Sequence, residues 1–117
     1  MVKAFKINVE NRKVEEITIS SSNDISKHIG NGCGLITAPI IFDNEDTIYV
    51  DDEGMYNDYG GGFMMEDWAY PLVGNGVLLG SNEEGDSVDV KTTKEELEKM
   101  IKWVSKGMIE KWIDSAL

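Results

Sequence analysis

Phe5-Lys6-Ile7-Asn8-Val9, then Glu10-Asn11-Arg12-Lys13, then Val14-Glu15-Glu16-Ile17-Thr18-Ile19 is the stretch that sets the class of fold. Phe5, Ile7 and Val9 alternate with Lys6 and Asn8, the period of a strand with one buried face. A polar turn follows, and residues 14–19 form a second strand with Ile17 and Ile19 on one face. Two strands joined this closely read as an antiparallel hairpin.

Working outward, Ser20-Ser21-Ser22-Asn23 offers helix caps, and a short helix near residues 23–29 places Ile25 and Ile29 on one face. Gly30-Asn31-Gly32 ends it. Residues 35–42 are a strand in which Pro39, lacking an N–H, requires an edge, a bulge or a break. Asp43-Asn44-Glu45-Asp46 is a polar turn before a strand over 47–50, which Asp51-Asp52-Glu53-Gly54 stops. Residues 55–70 match no template. They hold Gly60-Gly61-Gly62, and a loop of that length in a compact domain is often a functional or partly mobile element. Leu72-Val73 and Val77-Leu78-Leu79 read as one central strand bent at Gly74-Asn75-Gly76, and residues 87–90 pair back across a hairpin loop.

The last quarter reads as a helix. Thr92 with Glu95, or Thr93 with Glu96, makes a capping box. Leu97, Ile101, Val104 and Met108 follow at helical spacing, Met100 widens the stripe, and Trp103 falls beside it. Gly107 kinks this helix or splits it, and Ile109, Trp112, Ile113 and Ala116 continue an apolar face. The expectation is a single α+β domain over 1–117. It has a mixed or mainly antiparallel sheet of about five or six strands, and the C-terminal amphipathic helix buries Leu97, Ile101, Val104 and Met108 on one face.

With 117 residues, 41% of them hydrophobic and 28% charged, the chain has the composition of one globular domain. No run of eighteen apolar residues spans a bilayer, and Met1-Val2-Lys3-Ala4-Phe5-Lys6 alternates where a signal peptide would be continuously apolar. A cytoplasmic location is therefore expected. A lone cysteine, Cys33, makes neither an internal disulfide nor a multi-cysteine zinc site.

The net charge is −11 and the pI about 4.4, which disfavours direct contact with nucleic acid or anionic membranes. All lysines and arginines fall within 3–27 or 91–111, while the segment between carries thirteen carboxylates interleaved with aromatics. That imbalance points to basic protein surfaces as partners. The residues placed at such a contact are Asp51, Asp52, Glu53, Tyr56, Asp58, Tyr59, Glu66, Asp67 and Trp68. The carboxylates would steer encounter, and Tyr or Trp would anchor it.

Catalytic and metal motifs are weak. Neither Asp43 nor Asp51 opens an EF-hand loop, because the sixth and twelfth positions lack the glycine and the glutamate. Gly74-Asn75-Gly76-Val77-Leu78-Leu79-Gly80 lacks the G-x-G-x-x-G spacing and opens no helix. His28 and Cys33 have no local signature of a nucleophile pair, and dispersed turn carboxylates give no sign of an acid/base pair. No enzymatic activity and no cofactor is expected.

Ile48-Tyr49-Val50-Asp51-Asp52-Glu53-Gly54 resembles the strand and turn of an uncharacterised family of small acidic phage and mobile-element proteins. Pro71-Leu72-Val73-Gly74-Asn75-Gly76-Val77-Leu78-Leu79-Gly80, followed by an acidic turn, resembles its second block. The likeness runs in order through residues 2–102 and leaves out the glycine-aromatic insert at 56–68. It implies a setting, an accessory protein of a phage, prophage or plasmid, and no activity.

The functional expectation is a non-enzymatic acidic protein that engages a basic surface on a host or toxin protein, with competition against nucleic acid as one possible consequence. The alternative is a small-ligand binder in which backbone amides at Gly60–Gly62 and Gly74–Gly76, within the loop around 56–71, line a pocket for a cation. A further expectation is homodimer formation through the C-terminal helix, using Trp103, Trp112 and Leu117.

Overall fold

The structure is a computed structural model that describes residues 1–30, 33–54, 57, 59–66 and 68–116, with side chains as far as 112. Among the described residues the elements run β1 (Val2–Asn8), β2 (Lys13–Ile19), α1 (Ser22–Ile29), β3 (Ile36–Ile41), β4 (Thr47–Asp51), β5 (Gly61–Met65), β6 (Leu72–Val73), β7 (Gly76–Ser81), β8 (Ser87–Val88), α2 (Lys94–Met100), β9 (Ile101–Ser105) and α3 (Lys106–Ala116). None of the helices is long and apolar enough to cross a membrane.

The main sheet has the order β2-β1-β7-β4-β3, with β8 beside the end of β7, and every pairing is antiparallel. β7 sits at its centre. Leu78 lies opposite Phe5 on one side and Ile48 on the other. Both faces of this strand are covered, which is why Val77, Leu78 and Leu79 are all buried and read as a continuous apolar run. One face carries Ala4, Ile19, Val77 and Leu79 against Ile25 and Ile29 of α1. The other carries Phe5, Ile7, Ile48 and Leu78 against Phe63, Met65 and Leu97.

Phe63 and Met65 belong to a second sheet, β6-β5-β9, stacked on that face. Three sequence expectations change here. The stretch at 55–70 that matched no template contains β5, a buried strand. Leu72-Val73 and Val77-Leu78-Leu79 are not one bent strand, because β6 pairs with β5 while β7 centres the main sheet; Gly74, at φ 88°, turns the chain from one sheet to the other. The C-terminal helix is divided, with a strand between its halves. Thr93 and Glu96 form the capping box that starts α2, Glu96 N donating to Thr93 Oγ1 at 3.1 Å and Thr93 N to Glu96 Oε1 at 2.9 Å. The helix then gives way to β9, whose five residues pair with all of β5.

The spacing of Leu97, Ile101, Val104 and Met108 fits a helix, but Ile101, Trp103 and Val104 are also strand formers. A helix continued through them would leave one edge of β5 without backbone partners. In the strand, Val104 is buried and Ile101 and Trp103 pack on the core, whereas Met108 is 53% exposed rather than buried. Ser105 restarts the helix, accepting from Met108 N at 3.2 Å, and α3 lays the buried Ile109 over Gly62.

Candidate functional site

The turn after β4 is built around Asp51. This carboxylate is 5% exposed. It accepts from Glu53 N at 2.9 Å, from Asn57 Nδ2 at 2.6 Å and from the Tyr59 hydroxyl at 2.8 Å, while that hydroxyl also lies 3.1 Å from the Gly30 carbonyl. Tyr59, 3% exposed, has its phenol pushed well up by burial and by the Asp51 carboxylate. The same two causes raise the Cys33 thiol, so it stays protonated at neutral pH and is a poor nucleophile. Asp51 and Tyr59 therefore act inside the fold, tying the end of β4 to the end of α1, rather than at a partner surface. Asp52 and Glu53 on the same turn are exposed. Gly54 closes it because a Cβ there would lie 2.7 Å from the Val73 carbonyl oxygen.

Asp46 is the second buried carboxylate, fully inaccessible. It accepts from Lys91 N at 3.0 Å, from Thr92 N at 2.7 Å and from Thr92 Oγ1 at 2.6 Å, and so fixes the approach to α2. With Asp46 and Asp51 consumed internally, several of the other described acids sit at the two ends of β4. The antiparallel register of β4 and β7 puts Asp43 and Glu45 beside Glu83, Glu84 and Asp86, and the two turns are joined by Ser81 Oγ donating to Glu45 O at 2.9 Å. Asp52 and Glu53 stand at the opposite end of β4. The described carboxylates of this segment do not form one face.

Glu66 and Trp68 meet the edge of the main sheet in an open groove of about 640 Å³. Its floor is Ile40, Phe42, Trp68 and Met100, and its rim carries Asp43, Glu66 and Glu96. Among the described residues no lysine, arginine or histidine lines it. The Glu96 carboxyl is held below its ordinary range by its hydrogen bonds to Thr93, with Lys99 a smaller influence. A smaller hollow of about 190 Å³ holds Asp51 and Asp52, and Pro39 lines both. Pro39 sits where the register of β3 on β4 slips between Thr37 and Ile40, so the expected edge and the expected bulge are both present.

From the groove the aromatics continue outward. Trp68 meets Tyr70 edge-on at 6.2 Å and Tyr70 meets Trp112 of α3 at 5.8 Å. The Trp68 indole N–H is buried with no acceptor among the described residues.

Of the partner residues read from sequence, Asp52, Glu53 and Glu66 are exposed and Trp68 is half-buried. Tyr56, Asp58 and Asp67 lie outside the described residues, as does Leu117 of the dimer expectation. Sequence reasoning missed Pro39, Ile41, Asp43 and Met100, and its one signal for them was the edge-and-bulge reading of Pro39. Of the five glycines assigned to a ligand pocket, Gly60 is exposed and the other four are packed against the protein itself. A Cβ at Gly61 would lie 2.7 Å from Val104 O, at Gly62 2.2 Å from Leu72 O, at Gly74 2.8 Å from the Tyr59 ring and at Gly76 2.9 Å from the Phe63 ring.

Fold and site together define an α+β protein of two stacked antiparallel sheets with an acid-rimmed apolar groove at one sheet edge. No family model, curated protein or solved structure matches the chain.

Proposed function

We propose that this protein is a non-enzymatic binding protein that engages a basic surface on another protein. The observation that carries the reading is the exposed acidity of its middle segment, which has no basic residue of its own. Asp43, Glu45, Asp52, Glu53, Glu66, Glu83, Glu84 and Asp86 are all exposed, and no lysine or arginine occurs between residues 28 and 90. Opposite charge on a partner would raise the association rate and fix orientation. The setting we propose is that of an accessory protein of a phage or mobile element acting on a host or toxin protein. Competition with nucleic acid for that partner's basic site is then a consequence.

The test is affinity capture from host lysate at about 0.05 M and about 0.5 M salt, followed by titration of the purified partner. Screening shortens the reach of exposed charges below about 10 Å over this range, so the complex should weaken by at least about tenfold at the higher salt. A partner held equally well at both would remove the electrostatic basis.

A further inference from the structure

We propose that the groove at the β3 edge is the anchoring site for an amphipathic cationic segment of the partner, one that places an apolar side chain on the groove floor and a lysine or arginine on its rim. This rests on the binding reading above and locates it. Three observations converge. Trp68 and Met100, both only half-buried, keep part of the apolar floor open to solvent beside Ile40 and Phe42. The rim carboxylates Asp43 and Glu66 make no side-chain hydrogen bond among the described residues and are free to meet a cation, unlike Asp46 and Asp51. Pro39 and the bulge interrupt the outer edge of β3, so a partner cannot extend the sheet by continuous backbone pairing and must dock through side chains. An apolar floor ringed by one sign of charge selects for both properties in the same segment: desolvation of the floor gives affinity, and the rim rejects acidic sequences.

The probes are three synthetic peptides of equal length: an amphipathic Lys/Leu helix, the same peptide with Glu for Lys, and oligolysine. Binding is followed by tryptophan fluorescence and calorimetry on the full chain. The Lys/Leu peptide should bind at least about tenfold tighter than oligolysine, and the Glu peptide should not bind. Asp43→Asn with Glu66→Gln should weaken the Lys/Leu peptide about tenfold and reduce its salt dependence, and Met100→Asp, which puts a charge on the floor, should weaken it more. Glu84→Gln, at the β7–β8 turn, should leave it within about twofold. The Asn/Gln pair is isosteric and exposed, so it reports on docking even where Met100→Asp lowers stability.

Equal binding of oligolysine with no effect of the groove variants would overturn the groove while leaving the acidic-binder reading standing. Failure of every cationic probe would overturn both. A dimer in light scattering that the Asp43→Asn, Glu66→Gln pair or Met100→Asp dissolves would assign the groove to a second copy of this chain and overturn the proposed occupant.

Discussion

At the residue scale, carboxylates of one chemical type take opposite roles according to what surrounds them. Asp46 is buried because two backbone N–H groups and a threonine hydroxyl converge on it. Replacing it with alanine strands those donors, and stability measured by urea unfolding should fall by about 2–4 kcal/mol. Removing the exposed Glu84 carboxylate should change it by no more than about 0.5 kcal/mol. Titration has a clear sign. Burial, then Lys6, holds His28 below its ordinary 6.5, and hydrogen bonds within the two helix caps hold Glu96 and Asp24 below 4.5 and 3.8. In all three the folded state binds the proton more weakly than the unfolded chain, so their contribution is complete above the ordinary value and is lost as pH falls through the lowered one. The urea midpoint should therefore decline below about pH 6.5 and again below about pH 4.5. His28→Gln should flatten the first decline only.

At the element scale, the chain from 94 to 116 shows how local preference and long-range pairing divide the outcome. The capping box at Thr93 starts α2 regardless of the rest of the fold, but where that helix stops is set by β5, sixty residues from the chain start and in need of a second neighbour. Two glycines separate these influences. Gly107 lies near the start of α3 with open space where a Cβ would stand, so Gly107→Ala should stabilise by about 0.5 kcal/mol through helix propensity. Gly74 combines φ 88° with a Tyr59 ring 2.8 Å from the added Cβ, so Gly74→Ala should cost at least about 2 kcal/mol. Opposite shifts of the thermal midpoint by the two alanines would check both, and a stabilised Gly74→Ala would contradict the tight passage between the sheets.

At the scale of the whole molecule, the Cα radius of gyration of 13.5 Å is what a folded chain of this length has, about 13 Å. Eleven excess negative charges are therefore confined to a small volume, and their mutual repulsion opposes folding. Raising salt from about 0.01 M to about 1 M shortens the screening length from about 30 Å to about 3 Å, and the melting temperature should rise by several degrees. An unchanged midpoint would mean that lysines from the two ends of the chain already neutralise the acids in the folded state.

The first hairpin, α1, the bulged edge at Pro39, the stop at Asp51–Gly54 and the Thr93 cap were all legible in the order of residues, because each depends on alternation, capping or a missing N–H within a few positions. Of the groove, only the special character of Pro39 was legible in the same way; Glu66 and Trp68 stood out by charge and aromaticity alone. The second sheet, the strand inside the C-terminal helix and the withdrawal of Asp46 and Asp51 from the surface were not. Each of these is decided by a partner distant along the chain: β9 closing on β5, the backbone around Thr92 meeting Asp46, Tyr59 reaching Asp51. The groove belongs to this second group, since its floor and rim exist only once the edge of one sheet faces the end of the other.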